Sequence, residues 1–233
     1  MAFTKLTNSN ERYLMYREAI QWYLTNTSFP IVVCENTNTD MTEGFVKDIL
    51  SKRIEFITYP GNNHPTHLGK GYGEGQIVKK AFEKSILLSN AENVIKITGR
   101  YIITNIKTLV KCASSHKDLT TTLSFDGEHF GCASYFFVSK ASFLRKKFIP
   151  HVKNINDTEM YFFEHLLFDC AFPSIKEYPF GIKRYGISGT SGKSFQYGLK
   201  EDFKQFARYL LHKMNIFVYH KVFFRRPSKN KNI

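Results

Sequence analysis

The sequence predicts an α/β fold: a single Rossmann-like domain with a mostly parallel central sheet flanked by helices. Three observations predict it. The stretch "FPIVVCEN" is an apolar run ending in a polar tip, as a buried strand does. A helix near Glu43–Ser51, with Phe45, Val46, Ile49 and Leu50 at helical spacing, separates it from a second apolar run, "IEFITYP". A further helix, expected from Gln76 to about Leu88, leads into "NVIKITGRY". Strands alternating with helices favour parallel pairing, because parallel strands need crossover connections.

The first element is a helix capped by Asn10 and running to about Leu24, with Tyr13, Tyr16, Ile20, Tyr23 and Leu24 on one face. After the third strand come "TTLSF" and "CASYFFVSK", two more expected strands, and a helix beginning near Ser142. "NDTEMYFFEHLLFDCAF" opens with acidic and hydroxyl residues and carries Met160, Phe163, Leu166, Leu167 and Cys170 on a face, predicting a helix that includes Asp157 and Glu159 in its first turn. "IKEYPF" is a short strand before the loop "GISGTSGKS". In the last segment Phe203, Phe206, Leu210, Leu211 and Met214 recur at helical spacing, followed by an aromatic and basic run.

With 233 residues the chain suits one substantial domain with an appendage. No proline-rich or Gly/Ser-rich linker divides it, so the division expected is residues 1–195 as the main domain and 196–233 as an amphipathic helix with a basic tail. The cysteines, Cys34, Cys112, Cys132 and Cys170, form no CxxC pair and suit reduced thiols in the cytoplasm. The first residues lack the apolar run of a signal peptide, and no stretch approaches the length of a spanning helix. The net charge of +13 favours an anionic partner. From Gln196 to Ile233 there are nine Lys/Arg against only Glu201 and Asp202, a composition suited to a helix lying on an anionic membrane surface and equally to a helix packed on the core with a basic tail.

Two glycine-rich stretches invite a phosphate-binding reading, and neither fits a standard motif. A Walker A loop needs glycine five residues before the Gly-Lys pair; in "GISGTSGKS" that position is Ile187, with Gly186 one residue too early. No strand ending in Asp follows to hold magnesium. "GKGYGEG", Gly69 to Gly75, follows the second strand rather than the first and places glycine at every other position, unlike a dinucleotide fingerprint. It reads as a flexible turn into a helix, or as backbone N–H groups and Lys70 approaching an anion.

Taken in order, "IVVCEN", "GKGYGEGQIVKKAFEKS", "AENVIKITGRY", "NDTEMYFFEHLL" and "GISGTSGKS" resemble the small GT-A fold glycosyltransferases of bacterial surface-polysaccharide synthesis, over roughly residues 29–195. The resemblance implies a nucleotide-sugar donor and a glycan or lipid-linked glycan acceptor. It places Glu35 and Asn36 at the nucleotide base and ribose, and Lys70 and Gly71 near a phosphate. Where most such enzymes carry a DXD metal motif, this chain has Thr98, Gly99, Arg100 and Tyr101. A metal-independent mechanism follows as the expectation, with no cofactor required, Arg100, Lys70 and Lys193 meeting the leaving-group charge, and Mg²⁺ or Mn²⁺ as the alternative. Ser191 and Lys193 would belong to a lid formed by "GISGTSGKS".

A carboxylate base would come from the late helix: Glu164 or Glu159 first, then Asp157. Glu164 lies at the edge of the apolar face on a helical wheel, with His165 more outward. Asp126, Glu128 and His129 in "FDGEHFG" form a secondary cluster, equally readable as a turn. Rival classes are a nucleic-acid-binding protein using the basic, aromatic C-terminal region, though no sequence-specific nucleic-acid motif is present, and a nucleotidyltransferase, which needs carboxylates not evident here.

Overall fold

The computed structural model describes residues 8–125, 129–187, 192, 194–195 and 198–214, and it shows a mixed α/β protein. The chain opens with α1 (Ser9–Asn26), capped by Asn8 rather than Asn10: the Asn8 side chain accepts from the Asn10 and Glu11 N–H groups. Strand β1 (Ile31–Glu35), the short α2 (Val46–Leu50) and β2 (Ile54–Thr58) form the expected unit, with β1 and β2 parallel and Ile31 opposite Ile54. Beneath them Ile20, Met41, Phe45 and Ile54 form a small core of their own.

Helix α3 (Gly69–Lys84) starts seven residues earlier than the sequence suggests and takes in the whole glycine stretch. Each glycine inside a helix costs about 1 kcal/mol relative to Ala, so tertiary packing has to offset the loss. It does so through close approach. A Cβ on Gly71 would stand 2.7 Å from Asp157 Oδ1 and 3.1 Å from the Phe163 backbone nitrogen, and one on Gly75 would stand 2.6 Å from Val152 Cγ1. The alternating glycines are thus the flat faces of a tightly seated helix. A one-turn helix, α4 (Ile86–Ser89), then leads to β3 (Asn93–Ile97).

Beyond β3 lie β4 (Ile102–Ile103), α5 (Ile106–Cys112), β5 (Leu119–Thr121), β6 (Leu123–Phe125), β7 (Phe130–Cys132) and β8 (Phe136–Lys140). After β8, α6 (Ala141–Phe143) continues through a π-helical turn to Phe148 and a 3-10 turn to Asn154. Helix α7 (Phe163–Ala171), β9 (Ile175–Glu177), β10 (Arg184–Tyr185) and α8 (Leu199–Lys213) complete the order. Residues 157–159 form a separate 3-10 turn rather than the start of α7. Asn156 caps it, and Met160 ends it in the left-handed region at φ 60°.

The four-stranded sheet runs β3-β8-β5-β9, and it is mixed rather than mostly parallel. Strand β8 is antiparallel to both β3 and β5, and only β5 and β9 pair in parallel. The cause lies between β5 and β8. There β6 and β7 pair as an antiparallel hairpin, which returns the chain beside β5 in the opposite direction without a helical crossover.

Helices cover both faces of this sheet, and the period of two in β3 and β8 sorts their side chains. Phe137 joins Val78, Phe148, Phe163, Leu166 and Leu167 in the core on the α3 and α7 side. Phe136 and Val138 join Ala19, Tyr23, Ile103, Leu109 and Tyr178 on the α1 and α5 side. Val94 packs against the first cluster, Ile95 and Ile97 against the second, so Lys96 and Thr98 fall on the α3 and α7 side of β3. Among the described residues no helix is long and apolar enough to cross a membrane.

Candidate active site

Strand β3 ends in a turn, residues 98–101, that the Tyr101 N–H closes by donating to Thr98 O at 2.9 Å. Gly99 is exposed there, and a Cβ on it would stand 2.8 Å from the Tyr16 ring of α1. Arg100 lies over the Tyr101 ring and donates from Nε to Ile187 O at 3.3 Å. That bond fastens the neck of the "GISGTSGKS" loop to the β3 tip. The neck is a bridge between Ile187 and Ser194, with the Phe195 N–H donating to Gly186 O at 3.1 Å and the Phe195 ring edge-on to Tyr101. Gly186 has φ of 132°, and a Cβ there would stand 3.0 Å from Arg100 O, so glycine is required for this approach. Ser191 and Lys193 lie outside the described residues.

Beside this turn the N-terminus of α3 meets that of α7. Asp157 sits between them, its Oδ2 accepting from the Lys70 N–H at 2.8 Å and the Gly71 N–H at 3.2 Å. It caps α3 from 86 residues away and satisfies two N–H groups that the helix itself leaves open. Its Oδ1 is buried with no hydrogen-bond partner among the described residues. The Lys70 ammonium is held below its ordinary pKa, by burial first and then by the positive charge of Arg100, with Asp157 opposing. The positive charges of Lys70 and Arg100 thus act on one another.

Behind the turn, on the same face, lies a polar cluster of which sequence reasoning singled out only Thr98 and Glu164. The Lys96 ammonium contacts the carboxylate of Glu74 from α3, Thr98 Oγ1 at 3.3 Å and the Ser134 carbonyl. Ser134 Oγ donates to Glu164 Oε1 at 2.5 Å. Glu164 has its pKa raised, by burial first and then by the charge of Glu74, against the opposing Ser134 bond and Lys96. A lysine at an inward position of a strand was the available signal for Lys96, since an ammonium there requires partners.

The remaining candidates are placed as follows. Glu159 is exposed on its 3-10 turn. His165, expected to point outward, is only 7 % exposed, with Nδ1 3.1 Å from Met160 O; the turn that ends at Met160 lies over this side of the helix. His129 is exposed and its ring lies 5.1 Å from that of His165, while Asp126 and Glu128 lie outside the described residues. At the β1 tip Asn36 is buried, and the Glu35 carboxylate accepts from the Thr37 and Thr39 N–H groups at 2.6 and 3.0 Å and from Thr58 Oγ1 at 3.2 Å. Glu35 thereby shapes its own loop. A neighbouring residue that the sequence reading missed is Arg184 of β10, whose guanidinium lies 4.1 Å from the Tyr135 ring centre and 3.7 Å from that of Phe195.

For a metal, the β3 tip supplies no carboxylate, and among the described residues no group of three or more His, Cys, Asp and Glu side chains is placed to hold an ion. The comparisons with known proteins leave this geometry to stand by itself: no family model, no curated protein and no solved structure matches the chain.

Proposed function

We propose that the chain is a glycosyltransferase of GT-A-like architecture, moving a sugar from a nucleotide-sugar donor to a glycan or lipid-linked glycan acceptor. The observation that carries this reading is a turn at the end of β3 that carries Arg100 and no carboxylate, with Glu164 held by Ser134, its pKa raised, in the polar cluster behind it. A leaving nucleotide develops negative charge, and preorganised cations placed against it lower the barrier without reorganising during the reaction. Arg100 offers a planar fork to phosphate oxygens and Lys70 a point charge.

In this mechanism Glu164 takes the proton from the acceptor hydroxyl. Burial and Glu74 raise its pKa and so make its carboxylate a stronger base than a solvent-exposed one. Ser134 fixes its orientation. Asp157 holds the α3 N-terminus in place and Lys96 balances the charges of Glu74 and Glu164, both as positioning residues. Thr98, Gly99, Arg100 and Tyr101 occupy the place where the resemblance expects metal-binding carboxylates, which is why the proposal is metal-independent, with the reaction on the cytoplasmic side.

The test is nucleotide release from UDP-, GDP-, CMP- and dTDP-sugars, followed by chromatography with EDTA or with Mg²⁺. One donor should turn over in EDTA, and Glu164→Gln should lower the rate by roughly 10²-fold or more while donor binding stays within about threefold. Turnover of none of them, in either condition, would remove the reading. Release of pyrophosphate from a nucleoside triphosphate and a sugar phosphate would replace it with nucleotidyl transfer.

A further inference from the structure

Helix α8 is seated with its polar side inward. Gln205 and His212 are its buried residues. Gln205 Nε2 donates to Tyr178 O at 2.9 Å, and His212 Nδ1 lies 2.7 Å from Glu177 Oε2, with both of those side chains about 5 % exposed. Arg208, also on this side, donates to Gln205 Oε1 at 3.2 Å. The apolar stripe consequently faces away from the protein: Leu199, Phe203, Phe206, Leu210 and Met214 are exposed by 88, 73, 48, 43 and 65 %.

The other exposed side chains of the helix decide what this stripe meets. They are Lys200, Lys204 and Lys213. The two acids of the helix lie off that face: Asp202 accepts from the Gly181 N–H at 3.3 Å and lies 3.8 Å from Lys183, and Glu201 turns back to the Gly198 N–H at 3.1 Å. Every exposed side chain of α8 is therefore either apolar or a lysine. We infer that this face docks on an anionic lipid bilayer, with the stripe inserted at the headgroup boundary and the lysines against acidic headgroups.

Charge argues against the other occupants. The sequence after Met214, "NIFVYHKVFFRRPSKNKNI", contains five Lys/Arg and no acid, so folding it back would set like charge on like. A second copy of the chain would likewise bring lysines against lysines. The inference does not depend on glycosyl transfer, because a lipid surface is read by apolar insertion and charge alone.

The experiment is flotation of the full-length protein with vesicles of phosphatidylcholine alone and of phosphatidylcholine mixed with phosphatidylglycerol, with light scattering and thermal unfolding on the same samples. Binding should require phosphatidylglycerol and should fall by roughly tenfold or more in Phe203→Glu/Leu210→Glu, with Tm unchanged because both side chains already face solvent. Lys200→Glu/Lys204→Glu should lose the preference for acidic lipid. Absence of vesicle binding by the unaltered protein, or equal binding by the Phe203 and Leu210 variant, overturns the inference. A variant that lowers Tm and leaves vesicle binding intact would show that another part of the chain covers the face. A dimer dissociated by the same variant, and indifferent to vesicles, would assign the face to a second copy.

Discussion

Helices α7 and α8 are both amphipathic in sequence, yet they bury opposite sides. Helix α7 turns Phe163, Leu166, Leu167 and Ala171 into the core, where Phe163 packs 4.9 Å from the Phe148 ring. Helix α8 turns Gln205 and His212 inward and leaves its apolar residues outside. The difference lies in what each helix meets. The surface under α7 is an apolar cluster, whereas the surface under α8 presents the buried Glu177, 9 % exposed, and the Tyr178 carbonyl, both of which require hydrogen-bond donors. Periodicity reveals that a helix has two sides, and the polar groups of the surface beneath select which one is buried.

The sharpest way to break this contrast is to remove one aromatic ring from each helix. Phe163→Ala should cost about 3–5 kcal/mol in denaturant unfolding, because it empties a fully buried site. Phe203→Ala should change stability by no more than about 0.5 kcal/mol. Next in size is Glu177→Ala, which strips a partner from each of His212 and Gln205 and should cost about 3 kcal/mol. If it costs nothing, α8 is not held as described.

A smaller effect is expected where α3 meets α7. Gly71→Ala improves helix propensity by about 1 kcal/mol, but its methyl collides with Asp157 and with the Phe163 backbone. Overpacking should prevail and leave a net loss of about 1 kcal/mol. The smallest change concerns Glu164. Its raised folded-state pKa means that the native state holds its proton more tightly than the unfolded chain. Its contribution is therefore most favourable at low pH and declines as pH rises from the ordinary carboxylate range through the folded-state value. Glu164→Gln should flatten that decline in stability measured against pH.

Much of the fold was legible because it rests on local pattern. The β1, α2, β2 unit, the strand β3 and the C-terminal helix all follow from apolar runs and helical spacing. What was illegible depended on contacts distant in sequence. The sheet is mixed because the β6 and β7 hairpin intervenes, and the glycine stretch is helical because Asp157, Ile155 and Val152 approach it closely. Of the site, Arg100 and Lys70 were readable as cations at a strand tip and a helix start. The cluster of Lys96, Glu74 and Ser134 around Glu164 was not, since its members come from α3, β3, the β7–β8 connection and α7. Asp157 and Glu159, two residues apart, were indistinguishable in sequence, and only the fold separates a helix-capping carboxylate from an exposed one.

The central claim is that Arg100 and Lys70 receive the phosphates of a nucleotide sugar. The most direct measurement is thermal unfolding with UDP-, GDP-, CMP- and dTDP-sugars in EDTA, on the unaltered protein and on Arg100→Ala. A ligand at about 100 times its Kd stabilises by about 2.7 kcal/mol, so one donor should raise Tm by several degrees without metal, and Arg100→Ala should lose most of that rise. No rise with any nucleotide sugar, or the same rise in Arg100→Ala, would contradict the account.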